Sequence, residues 1–406
     1  MPDVEYEPVS VKAVLSEMKD TAELLIDLSY SAVLSGSDEL AEEVLALEER
    51  MDVLQLQARM SVLMAARSPE DAEQLAPVLG VVGAAEKIAD AAGDIAKIVL
   101  EDIGLPEAMR SAIPEATEAL VRATVAADST YAGRTLGEIN METARGVRAI
   151  AVRRASETGK RAWITNPDEG TELRTDDVLL LRGLDEGLAA VYEAATGEAY
   201  DPPEPTASPI EDLERAVGSI VTMKDTSELA VDLAYGSVLF DSEAVAEEVV
   251  ELEAEVDALK SRLEAWTLRA ASRVDDPIEL RGLVHLAAAT EEISDAALEI
   301  SEGVLRGLDA HPVVAAAVEE SDEVIVRLTV AENAEIAGHT LGDLELGTET
   351  GSRVIAVRRP GEETEWVVSP DADTRLSAGD VLVAKGTRAG TERLSTMAGD
   401  PREFDA

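Results

Sequence analysis

Residues 18–30 read MKDTAELLIDLSY and residues 223–235 read MKDTSELAVDLAY, identical at nine of thirteen positions and offset by 205 residues. A self-match at that distance governs the rest of the reading, because it makes the chain two copies of one unit. The same offset carries Leu47-Glu48 onto Leu252-Glu253, Asp52 onto Asp257, Asp90 onto Asp295, and Ala149 to Arg154 onto Val354 to Arg359. Past a loop it shortens by two residues, so that Trp163 matches Trp366 and Asp177-Val178-Leu179 matches Asp380-Val381-Leu382. Between the copies, Pro202-Pro203-Glu204-Pro205 reads as a rigid, helix-breaking linker.

Within each copy the hydrophobic period changes halfway. Val14, Met18, Leu25 and Leu28 share one helical face, and Leu40, Val44, Leu47, Met51 and Leu54 step by fours and threes. Val82, Ala85, Ile88, Ala92, Ile95 and Val99 mark a third helix. The breaks fall at Ser35-Gly36-Ser37-Asp38, which offers an N-cap, and at Ser68-Pro69-Glu70-Asp71, with Gly104-Leu105-Pro106 closing the helical half. From Ala119 the pattern becomes short strands at Leu120–Val125, Val147–Val152 and Asp177–Leu181, with a short helix opening near Ala132 to Gly137 and a closing helix from Asp185 to Ala195. The expected fold class is multidomain: all-α three-helix bundles alternating with small α+β domains, internally duplicated. The expected segments are helical 1–106, α+β 107–198, linker 199–209, helical 210–311 and α+β 312–398.

Composition bounds what such a chain can do. Of its 406 residues 83 are Asp or Glu and 35 Lys or Arg, a formal charge of -48, which disfavours nucleic acid and anionic lipid as direct partners. At 46% hydrophobic residues it still fills real cores, so the charge does not mean disorder. With 8 Lys against 27 Arg and abundant acid, the composition resembles that of salt-in halophiles, whose molar salt shortens the Debye length to about 3 Å. Absence of Cys removes disulfides, thiolate metal sites and cysteine nucleophiles. The longest nearly unbroken apolar run, Leu75 to Ala85, is far short of a membrane span, and acidic Pro2-Asp3-Val4-Glu5 does not open a signal peptide. The expectation is a cytoplasmic protein with no direct membrane insertion.

The motifs carry a resemblance. MKDTxEL on the first helix, Glu48-x-x-x-Asp52 on the second and Ala85-Glu86-Lys87-Ile88-Ala89-Asp90 on the third resemble a PhoU-type three-helix domain. AGRTLGEI, VRAIAVRR and TNPDEGTELRTDDVLLLRG, repeated as AGHTLGDL, SRVIAVRR and SPDADTRLSAGDVLVAKG, resemble the TrkA-C domain, the C-terminal domain of RCK proteins. The resemblance spans nearly the whole chain. It implies a non-enzymatic cytosolic regulator of potassium or other cation transport, because TrkA-C domains serve as ligand-sensing or dimerising parts of channels and transporters. No G-x-G-x-x-G follows a strand, so the nucleotide-binding N-terminal RCK domain has no counterpart here, and pore helices are missing too. The partner implied is therefore a separate membrane cation transporter or channel subunit. Whether two copies of the chain form a homodimer stays open, since internal pairing of the α+β domains can satisfy the same interface.

Two residue sets are candidates for ligand chemistry. Glu48 and Asp52, four apart, share a helix face, and Glu86, Asp90 and Asp94 form a matching stripe; the second copy offers Glu253, Asp257, Glu291, Asp295 and Glu299. Facing each other, such edges suit a hard divalent cation, Mg²⁺ or Ca²⁺, or an iron cluster of the kind some PhoU-type proteins hold. The competing reading is a solvated acidic face. Arg153-Arg154 and Arg358-Arg359 end matched strands, and their planar forks suit an anionic ligand. The resemblance makes that ligand a cyclic dinucleotide, cyclic di-AMP, bound between the two α+β copies; the alternative is ion pairing with the chain's own carboxylates. Asp20, Glu23 and Asp27, with Asp225, Glu228 and Asp232, form a third acidic set beside the scarce Lys19 and Lys224, read as setting register or touching the other copy. His285, His311 and His339 all fall in the second copy, which excludes histidine chemistry common to both, and no catalytic constellation is present.

Overall fold

The computed structural model describes residues 10–66, 68–106, 119–155, 161–165, 167–183, 185–200, 210–307, 312–320, 323–344, 346, 350–359, 365–368, 370 and 372–399. The Pro-rich linker, Gly159-Lys160 and His311 lie outside the described residues.

The first helical half is α1 (Val11–Ser35), α2 (Asp38–Ala65) and α3 (Pro69–Leu100). Its first break is local chemistry: Gly36 takes the left-handed φ of 64° that ends α1, and the Ser37 hydroxyl accepts from the Leu40 N–H at 3.2 Å to start α2. The α+β half follows as β1 (Ala119–Thr124), α4 (Leu136–Ile139), α5 (Met141–Arg145), β2 (Val147–Ala155), β3 (Arg161–Thr165), β4 (Val178–Gly183) and α6 (Asp185–Thr196). The second copy repeats the order: α7 (Glu211–Phe240), α8 (Glu243–Ala270), α9 (Arg281–Leu305), α10 (Pro312–Glu320), β5 (Glu323–Thr329), α11 (Leu341–Leu344), β6 (Ser352–Arg359), β7 (Glu365–Val368), β8 (Val381–Thr387) and α12 (Arg388–Ala398). Bundles and α+β units thus alternate as expected, with α5 following the expected short helix, and three further elements go beyond the sequence reading. These are the short fourth strands β3 and β7, and α10, which lies against α1 and α7.

Both sheets are antiparallel and four-stranded, in the orders β1-β4-β2-β3 and β5-β8-β6-β7. Alternation along the strands gives each sheet two apolar faces. In the first, Leu120, Ile150 and Leu180 join the helical core, while Val121, Ala149, Leu179 and Leu181 pack with Leu188 and Val191 of α6 in a core of their own. Equivalent residues Ile325, Ile355 and Val383 do the same in the second. A register shift between Ala149 and Ala151, repeated between Val354 and Ala356, lets Ile150-Ala151 and Ile355-Ala356 both reach the helices.

The two helical halves form one six-helix core. α3 runs antiparallel to α9, fixed near one end by the Gly282 N–H donating to the Gly104 carbonyl at 2.8 Å and farther along by a Lys87–Glu299 ion pair. Across the block the Tyr30 hydroxyl donates to Thr290 Oγ1 at 2.7 Å. Leu25, Leu47, Ile88 and Ile95 are wholly buried in this core, each contributing about 1.5–3 kcal/mol by leaving water.

Candidate functional site

The carboxylates of the first bundle converge. α2 and α3 pack face to face and bring one oxygen each of Asp52, Glu86 and Asp90 within 4.8 Å of one another. Glu48 lies one turn away on α2, its carboxylate seated against Gly93, where a Cβ would fall 2.3 Å from an oxygen, and 3.8 Å from the Lys97 ammonium. Partial burial pushes Glu48, Glu86 and Asp90 above the usual carboxylate range. Asp90 adds to the shift of Glu86, and Asp52 to that of Asp90; Lys97 partly offsets the rise at Glu48. An all-oxygen donor set carrying mutual repulsion suits a hard divalent cation, which would relieve that repulsion.

The second bundle solves the same repulsion with its own cation. Glu253, Asp257, Glu291 and Asp295 sit at equivalent places on α8 and α9, but Lys260 pairs with Glu291. The residue equivalent to Lys260 is Gln55, which hydrogen-bonds Glu86 instead. Burial still raises Glu253 and Asp295, with Asp257 next in effect on the first and Glu291 on the second. The duplication is broken again where α3 meets α9. Lys87 pairs with Glu299 on one side of the seam, whereas their equivalents, Glu292 and Asp94, are both acidic. Those two line a cleft of about 360 Å³ with Lys97, Glu101 and His285.

The first arginine pair is engaged within the chain. Arg153 on β2 donates from Nε at 2.9 Å and Nη2 at 2.6 Å to Oε1 of the buried Glu43 on α2, and Arg122 on β1 approaches the same oxygen at 3.3 Å while reaching Glu39 at 2.9 Å. Arg154 points to the opposite side, its fork on Asp177 at 2.9 and 2.6 Å with a further bond to the Glu172 carbonyl at 2.6 Å. In the second copy Arg358 is half-buried and Arg359 exposed at the end of β6.

Sequence reasoning singled out the helix-side acids of the junction but missed their partners on the strands, Arg182, Arg353 and Lys385. Asp27 pairs with Arg182, and Asp232, its equivalent, with Lys385 at 2.6 Å and Arg353 at 3.5 Å. The Lys19 ammonium lies 5.6 Å over the Tyr235 ring and that of Lys224 5.9 Å over Tyr30. The signal that could have found Lys385 was the same rarity that marked Lys19 and Lys224, since the chain has only eight lysines.

Residues 15–99 and 220–304 match the model of the PhoU domain, and residues 120–196 and 325–399 that of the TrkA-C domain. No curated protein matches. Among solved structures, PhoU from Pseudomonas aeruginosa is similar at 13% identity over 73% of this chain and 96% of that one, with a TM-score of 0.43. The GsuK RCK domain is similar at 16% over 71% of this chain and 65% of that one, TM-score 0.19, and the GsuK channel bound to NAD at 17% over 70% and 53%, TM-score 0.18.

Proposed function

We propose that this chain, which carries two PhoU domains and two TrkA-C domains in tandem duplication, is a regulatory ligand-sensing protein that controls a membrane potassium or other cation transporter. The observation that carries the reading is the seating of two TrkA-C domains on one helical core, each sheet lending a face to it. Both domain types are regulatory and non-catalytic, so the chain is not an enzyme. No helix among the described residues is long and apolar enough to cross a membrane, so in this reading ion flux runs through another polypeptide at whose cytoplasmic face the chain works. An anionic ligand of the cyclic dinucleotide class, held by Arg154 and Arg359 on one face or by Arg153 and Arg358 on the other, would shift the sheets relative to the helices. It can do so only by binding the two arrangements unequally, and Arg153 must first exchange Glu43, or Arg154 Asp177, for the ligand. Capture of the full chain from native membranes solubilised in molar salt should bring down a multi-spanning cation transporter. Recovery of the chain without one, from cells in which that transporter is made, refutes the reading.

The second reading places function in the bundles, as a metal-binding or phosphate-response protein, and rests on the convergence of Asp52, Glu86 and Asp90. Under it the purified chain retains a stoichiometric divalent cation; no metal after mild chelation and dialysis counts against it.

A further inference from the structure

The two TrkA-C sheets are held to the helices by equivalent residues of different chemistry. On β4, Arg182 pairs with Asp27 of α1, and Arg122 and Arg153 reach Glu39 and Glu43 of α2, all in the same copy. On β8 the equivalent of Arg182 is Lys385, whose ammonium lies 2.6 Å from Asp232 of α7 and 3.1 Å from Glu23 of α1. Glu23 belongs to the other copy, so one side chain of the second sheet stands between carboxylates of both helical halves. An ammonium has three donors and can serve two carboxylates at once.

The surroundings make this junction hard to open. Lys19, buried on α1, lies 2.8 Å from the same Glu23 oxygen, and Arg353 on β6 lies 3.5 Å from Asp232. Asp232 is buried, so removing Lys385 leaves a charged carboxylate short of its nearest cation in a low-dielectric site. The same domain follows the seam between the halves a second time. α10 lies on both α1 and α7, and Arg388 at the start of α12 donates to the Glu319 carbonyl of α10 at 2.8 Å.

We propose that Lys385 is a positioning residue that latches the second TrkA-C domain to both PhoU domains at once. The domain can leave the helical block only by giving up two ion pairs on two different halves, and any sliding of one half past the other is transmitted to that sheet through Glu23 and Asp232. The latch follows from the geometry alone; its use in regulation rests on the ligand-driven rearrangement proposed above, and its test involves neither transporter nor ligand.

The chain lacks cysteine, so introduced pairs report without background. Spin labels at Glu49→Cys on α2 and Glu392→Cys on α12, both exposed, measure the second TrkA-C domain against the first bundle in the full chain. A control pair, Glu49→Cys with Glu193→Cys on α6, measures the first domain. The expected result is a single narrow distance distribution that broadens and shifts in Lys385→Met and is restored in Lys385→Arg. Glu23→Gln, which removes the anchor on the first half while leaving Asp232, should broaden it in the same direction by less, and the control pair should stay unchanged. Distributions unaltered in both Lys385→Met and Glu23→Gln, or altered equally in the control pair, overturn the proposal. If Lys385→Met fails to fold, Glu23→Gln decides.

Discussion

Replacing Glu43 by Ala tests whether the first sheet is fastened to its bundle by charge. Glu43 is 3% exposed and its Oε1 receives two bonds from Arg153, at 2.9 and 2.6 Å, with Arg122 at 3.3 Å. Removing one partner of a buried pair costs about 3–5 kcal/mol because the other charge is stranded. Here the Arg153 and Arg122 side chains keep 14% and 21% exposure and Arg122 retains Glu39, so the low end applies, about 3 kcal/mol or two orders of magnitude in the local equilibrium. A chain of four domains need not unfold in one step, so the assay must read the first sheet alone. Trp163 lies on β3 opposite Arg153, and with Trp266 and Trp366 changed to Phe its fluorescence follows that sheet through a denaturant titration. The internal control is Glu248→Ala at the equivalent position, read through Trp366 on β7 opposite Arg358 with Trp163 and Trp266 changed to Phe. Burial, then Glu251 and Glu247, push Glu248 above the usual carboxylate range. Its loss should leave the second unit within about 0.5 kcal/mol, or slightly more stable. Equal losses at the two positions, or a Trp163 transition unmoved by Glu43→Ala, would refute the reasoning.

Three further outcomes are expected. Lys260→Gln, which gives the second bundle the residue that the first has at Gln55, should raise the divalent-cation stoichiometry measured by Mn²⁺ titration from one site per chain to two, and Asp52→Asn should remove the first; unchanged counts in both variants would sink the assignment. Glu48, Glu86, Asp90, Glu253 and Asp295 are all raised, first by burial, so their ionised forms are less favourable folded than unfolded. Folding therefore takes up protons between the ordinary carboxylate range and the raised values. Metal-free protein should gain stability as pH falls from neutral through those raised values, and these groups keep that gain below the ordinary range, where both states are protonated; a denaturation midpoint that only falls between neutral pH and the ordinary carboxylate range would contradict this. Tyr30→Phe should cost about 1 kcal/mol by deleting the bond to Thr290, whereas Tyr235→Phe, whose facing equivalent of Thr290 is Ala85, should cost less; thermal shifts of the two variants in parallel decide it.

What the sequence determined by itself was everything periodic or copied. The repeat at MKDTxEL fixed the duplication, the change from spacings of three and four to alternation placed helices before strands, and Ser37 and Gly36 marked a helix boundary. These are local properties, set by which residues share a face and which can cap a turn. The short strands β3 and β7 escaped because four or five residues at a sheet edge carry too little alternation to stand out. Spacing also nominated Glu48, Asp52, Glu86 and Asp90 as one face, but only the packing of α2 on α3 decided that Asp52, Glu86 and Asp90 approach while Glu48 turns toward Lys97. Nor could spacing assign partners to the arginines, because Arg153 and Glu43 are 110 residues apart and meet through the sheet's seat on the bundle. The joint between the halves was the least legible. Lys385 serves Glu23 and Asp232 only because the two copies share one core, and two residues hundreds of positions apart leave no periodic trace of a meeting that the fold alone arranges.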